Sequence, residues 1–172
     1  MGVAEAFGKM CLIAVFTGSG FLKIHGFRAF RRHVSATAPW VGRLSGLLAF
    51  AVPVAEFCVA GFLLVRPQEW VGFAVAAFLL TAFTAYLLVL LLSESPASCG
   101  CVGSDDVPVS GAHIVRNILL LAVCAATWWA SVYSADPKLI HYVLVAAPAV
   151  VMGIAMLYLG ELVSLFRAAY VK

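Results

Sequence analysis

The side chains with the clearest capacity for chemistry are Cys99 and Cys101, separated by Gly100 in the run SESPASCGCVGSDDVPVSG. A disulfide between positions i and i+2 closes a small, strained ring, because the usual Cα separation and torsion are hard to reach across two peptide units. Strain makes such a bond easy to reduce, which suits an exchanging disulfide better than a structural one. Gly100 supplies the backbone freedom the ring needs. Two other readings of the pair stay open, namely idle thiols and half of a metal site. Zinc wants four nitrogen or sulfur ligands, and the nearest addition is His113, so a partner would have to complete the set. No metal site is therefore expected.

A second group of reactive types lies inside or beside apolar segments. Glu56 stands three residues after Pro53, in a stretch otherwise free of charge. A carboxylate there needs a cation or water, since charge in hydrocarbon is costly. Lys23, Arg43, and Arg116 with its neighbour Asn117 are the candidate partners. Arg43 is excluded as a direct partner, because thirteen residues of one helix separate it from Glu56 by roughly 20 Å. Lys23 or Arg116, each on another helix, can reach. Such a group either fixes helix register as an ion pair or serves as a proton relay or quinone contact. Cys11, Cys58 and Cys124 fall in apolar stretches and are expected to be inert packing residues.

These residues must be positioned by membrane helices. Of 172 residues, 64% are hydrophobic and 11% charged, with a mean hydropathy of +1.05, which excludes an ordinary soluble enzyme. The eleven Lys and Arg form no basic stripe interleaved with aromatics, so no nucleic-acid partner is expected. Five apolar runs approach the ~20 residues needed to cross the bilayer, at about 6–25, 43–65, 70–92, 112–134 and 139–163. They must be helices, since backbone groups cannot stay unpaired in lipid and no alternating strand pattern occurs. The expected fold is an all-α polytopic membrane bundle, a single domain over 1–172, with four core helices plus one additional span. The first run is kept as a span, because its n-region holds Glu5 as well as Lys9 and no small-residue cleavage site directly follows the apolar stretch. Ala6 also breaks the myristoylation pattern.

Residues 26–42 and 93–111 are then the informative loops. The first, GFRAFRRHVSATAPWVG, mixes arginines with aromatics as an interfacial amphipathic segment does. Chain order places Lys23, Arg28, Arg31, Arg32, Arg43, Arg116, Arg167 and Lys172 on one side, against Lys9, Arg66 and Lys138. The positive-inside rule then puts the N-terminus outside and the C-terminus in the cytoplasm. Two spans separate the loops, so both face the same side.

The runs GSGFLKIHGFRAF, VPVAEFCVAGFLL and CGCVGSDDVPVSGAHIVRNILLL together resemble the MauE branch of the DoxX-like membrane proteins. The shared elements are a Gly-x-x-Lys end to the first span, a Pro-x-x-Glu in the second, a Cys-Gly-Cys-x-Gly loop and an Arg-Asn pair opening the next helix. Val102 departs from the Phe expected there. The resemblance implies a bacterial cytoplasmic-membrane protein associated with thiol redox, its archetype being linked to maturation of methylamine dehydrogenase. The resulting expectation is a thiol–disulfide oxidoreductase component in which Cys99 and Cys101 cycle, exchanging with a thioredoxin-like partner or a membrane quinone. The alternative is a non-catalytic anchor or assembly subunit of a redox complex. No tightly bound cofactor is expected, because no Gly-rich phosphate loop, haem-attachment motif or His-rich motif occurs.

Overall fold

The computed structural model describes residues 2–37, 42, 44–65, 68–92, 111–133 and 137–163. All of its long elements are helices: α1 (Gly2–His25), α2 (Phe27–Thr37), α3 (Ser45–Leu64), α4 (Glu69–Leu92), α5 (Gly111–Tyr133) and α6 (Leu139–Leu157). Five of them, all but α2, are long and apolar enough to cross a membrane. The chain is accordingly a multi-pass membrane protein. Leu47, Phe50, Phe78, Trp129 and Val143 are among the large apolar side chains on the outside of the bundle. An apolar surface of that extent suits lipid rather than water.

Helices α1, α3, α4 and α5 form a closed ring of neighbours, and α6 packs on α1 from outside it. This is the expected set of four core helices and one addition. Lipid tails are as apolar as Leu, so close backbone approach and polar contacts must hold such helices together. Ala14 and Gly18 of α1 meet α6 at Gly153 and Leu157: a Cβ on Gly153 would lie 2.9 Å from the Ala14 Cβ. Ala149, one turn before Gly153, is fully buried. Small residues one turn apart on both helices explain the tight α1–α6 contact.

Gly8 plays the same part between α1 and α5. A Cβ there would overlap the Thr127 Oγ1, and that hydroxyl is committed to the Val123 carbonyl at 2.7 Å. Gly8→Ala is therefore expected to lower stability by about 1–3 kcal/mol. Adding Thr127→Ala should recover most of the loss, as read by thermal unfolding in detergent. Additive losses in that cycle would place the strain elsewhere.

Three boundaries differ from the sequence reading. Helix α1 begins at Gly2 rather than residue 6, because Glu5 and Lys9 are paired inside the bundle instead of flanking it. The loop at 26–42 contains α2, joined to α1 through Gly26. The last span stops at Leu157 and resumes over 159–163. The break lets the guanidinium of Arg116 reach the Leu157 carbonyl at 3.3 Å, and Gly160 leaves room for the His113 ring, which a Cβ there would overlap.

Candidate functional site

The stripe of α1 at positions 5, 9, 12, 16, 19 and 23 is buried throughout. Its spacing of four and three residues keeps all six on one helix face. Read along the helix they are Glu5, Lys9, Leu12, Phe16, Ser19 and Lys23. Each end of the stripe is thus polar and its middle is apolar.

At the end nearer the C-terminus of α1, the ammonium of Lys23 donates to Glu56 Oε1 at 2.7 Å and to the Ser19 hydroxyl. Ser19 in turn donates to the same Glu56 oxygen at 2.9 Å. Lys23 is 1% exposed and Glu56 3%. Helical side chains lean toward their own N-terminus. Lys23, near the end of α1, therefore leans into the bundle, while Glu56 on antiparallel α3 leans back to meet it. The ammonium also lies 5.8 Å from the Phe30 ring centroid and 5.2 Å from that of Phe83, so two aromatic faces share its charge. Pro53 lies on the same buried face of α3, one turn before Glu56.

Arg116 is placed beside this pair but does not join it. Its guanidinium donates to Asn117 Oδ1 at 3.2 and 3.3 Å and to the Leu157 carbonyl. It thereby caps the C-terminus of α6, where the helix dipole favours a cation. Of the two cations able to reach Glu56, Lys23 makes the bond. A cavity of about 30 Å³ separates the groups, lined by Ser19, Lys23, Glu56, Arg116, Asn117 and apolar side chains including Phe16, Phe83 and Leu120. Glu56 Oε2 and Asn117 Nδ2 are buried without hydrogen-bond partners among the described residues, as are both ring nitrogens of His113. The volume admits one or two waters, and the two lining atoms offer an acceptor and a donor to hold them.

At the other end of α1, Lys9 bonds Glu5 at 2.7 Å and reaches across the ring to Glu69 at 2.5 Å. Glu5 is 0% exposed and Lys9 1%. Chain order alone makes Lys9 a flanking cation and gives no role to Glu5, Ser19 or Glu69. The available signal is the i, i+4 pairing of Glu5 with Lys9 and of Ser19 with Lys23 on one stripe. Between the two polar ends, Leu12, Val15 and Phe16 pack with Val59, Phe73, Leu80 and Leu120. That apolar layer separates the two clusters.

The remaining sequence candidates divide. Cys99, Cys101 and Arg43 lie outside the described residues. Cys11 and Cys124 are buried free thiols, and Cys124 lies 3.6 Å from the Phe73 carbonyl. Cys58 corrects the expectation, since it is exposed on the outer face of α3 rather than packed inside. Glu56, Val59 and Ala60 of α3 are buried, and position 58 is turned to the outside of the bundle. Among the described residues, no three His, Cys, Asp or Glu side chains gather as a metal site.

No curated protein and no solved structure matches the chain. A family model described as Methylamine utilisation protein MauE matches residues 1–130. That span runs from the first helix of the bundle through most of α5, and holds the Lys23–Glu56 pair, the Arg116–Asn117 pair and the Cys-Gly-Cys run. The chain belongs to the MauE family.

Proposed function

We propose that this protein is a thiol–disulfide redox component of the cytoplasmic membrane of a bacterium, supporting the maturation of a partner redox enzyme of the methylamine-utilisation type through Cys99 and Cys101. In the forward step the two thiols give up two protons and two electrons and form one S–S bond. A thioredoxin-like disulfide takes them and becomes a dithiol, or a membrane quinone takes them and becomes a quinol. The observation that carries the reading is one of placement. Helix α4 stops and α5 begins at the end of the bundle occupied by Lys23, Ser19, Glu56, Arg116 and Asn117, and in chain order both cysteines fall between those two helices. A water-sized cavity at that end, lined mostly by apolar side chains, offers Glu56 Oε2 as a relay for those protons on their way to the acceptor.

Differential alkylation across a redox titration, read by mass spectrometry in native membranes, tests this. A 99–101 disulfide is expected that glutathione reduces, with a midpoint above about −300 mV. A bond that resists glutathione, or no bond at any poise, overturns the exchange mechanism. The ion pair between α1 and α3 favours one other reading, a non-catalytic assembly subunit held in register by Lys23 and Glu56. If Cys99→Ser with Cys101→Ser leaves partner maturation intact, that reading replaces the first.

Impermeant reagents settle the side in the same experiment. Lys9, Lys23 and Arg116 are buried and carry little weight in a count of loop cations. Chain order leaves Arg28, Arg31, Arg32, Arg43, Arg167 and Lys172 at the cysteine end against Arg66 and Lys138. The positive-inside rule then favours a cytoplasmic cysteine loop with the N-terminus outside. Labelling from outside reverses this and points to an extracytoplasmic thiol partner.

A further inference from the structure

Helix α2 joins the end of α1 to the start of α3, at the end of the bundle where α4 stops and α5 begins. One of its faces is turned inward. Phe30 is buried under the Lys23 ammonium, and the ring of His33 meets the Tyr86 hydroxyl at 3.0 Å; on the outer side, the Ser35 hydroxyl bonds that of Ser45 at 3.0 Å. The opposite face is basic. Arg28, Arg31 and Arg32 are exposed and, with Ser35, line one open groove. Their spacing of three, four and seven residues sets them along one side of two helical turns, over about 10 Å.

Among the described residues this charge is uncompensated. No acidic residue occurs between Glu5 and Glu56, and among the described residues none of the three guanidiniums has a carboxylate partner. Like charges three and four residues apart destabilise a helix, so an anion in the groove relieves a repulsion built into α2. Arg31 lies over the first turn of α3, with its Nε 3.6 Å from where a Cβ on Gly46 would be. That turn has no side-chain cap, and its free N–H groups add positive partial charge beside the guanidinium.

We infer that the Arg28, Arg31, Arg32 and Ser35 face of α2 is a binding site for the phosphate of an anionic phospholipid headgroup. The groove lies at the end of the bundle where all five candidate spans begin or stop, the level at which bilayer phosphates lie. Guanidinium forks match phosphate oxygens in pairs. The bundle itself holds the inward face, so α2 offers the lipid a preformed basic surface. The site is independent of the thiol chemistry proposed above.

The test is thermal unfolding of the full chain in mild detergent, titrated with phosphatidylglycerol, phosphatidylcholine or inorganic phosphate. Phosphatidylglycerol is expected to raise the midpoint saturably, with an effect that fades as salt is added. The other two should do little at the same concentration. Each arginine changed to Gln should weaken binding about fivefold, and Arg28→Gln, Arg31→Gln and Arg32→Gln together on the order of a hundredfold. The residues are exposed, so the fold should persist, and Cys99→Ser with Cys101→Ser should keep the full lipid response. An undiminished response in the triple variant overturns the site, and an equal response to inorganic phosphate overturns the lipid as its source. Glu94, Asp105 and Asp106 belong to the loop at the same end. If phosphatidylglycerol acts only after Glu94→Gln, Asp105→Asn and Asp106→Asn, the chain's own acids occupy the face and the inference fails.

Discussion

Glu56→Leu is expected to destabilise the bundle by about 3–5 kcal/mol, the usual cost of removing one partner from a buried ion pair. The loss arises because Lys23, 1% exposed, would keep only the Ser19 hydroxyl and the faces of Phe30 and Phe83. Thermal unfolding in detergent at fixed lipid content measures it. The double variant Glu56→Leu with Lys23→Met should recover most of the loss, since replacing a whole buried pair by apolar groups is often neutral or stabilising. A stable double variant that no longer supports partner maturation would assign the pair to chemistry. One that still supports it would assign the pair to helix register. An unchanged midpoint in Glu56→Leu alone would mean that water reaches Lys23 and that the cavity is open.

Lys9→Met should cost at least as much, and by a different route. It removes one cation from between two carboxylates, Glu5 at 2.7 Å and Glu69 at 2.5 Å. Glu5 is fully buried and the Glu69 side chain 15% exposed, so water can screen only one of the two. A loss of about 3–5 kcal/mol is expected from the pair with Glu5 alone, and repulsion between the acids adds to it. The readout is the fraction of folded protein recovered on size exclusion, together with the unfolding midpoint. Combining Lys9→Met with Glu5→Gln and Glu69→Gln should restore much of both. If the single variant behaves as wild type, Lys9 is a peripheral cation, as chain order alone suggests.

The bilayer explains why so much of the architecture is legible in the amino-acid sequence. Backbone pairing in hydrocarbon permits only helices or closed barrels. Five apolar runs of suitable length therefore determine the number of spans, and the helix ends differ from the run ends by only a few residues. The same logic singles out Glu56 as a residue needing a cation, because charge in a span is too costly to leave alone. Sequence order also puts the basic loop and the cysteine loop at one end, since an even number of spans lies between them.

Only the packing decides the rest. Which cation meets Glu56 depends on the facing of α1 against α3, and a hydropathy pattern does not carry that angle. Arg116 is an equal candidate by sequence, but the end of α6 arrives beside it and offers the Leu157 carbonyl instead. Lys9 has the look of a flank because nothing local marks the start of α4 as its neighbour, sixty residues away. Cys58 has the look of core because the α3 sequence is apolar on every side, and only the ring of neighbours distinguishes the lipid face from the inner one. Local chemistry is written in residue type and spacing. Partnership between helices is set by rotation about their axes, which in lipid follows from close contacts at small residues such as Gly8, Gly18 and Gly153.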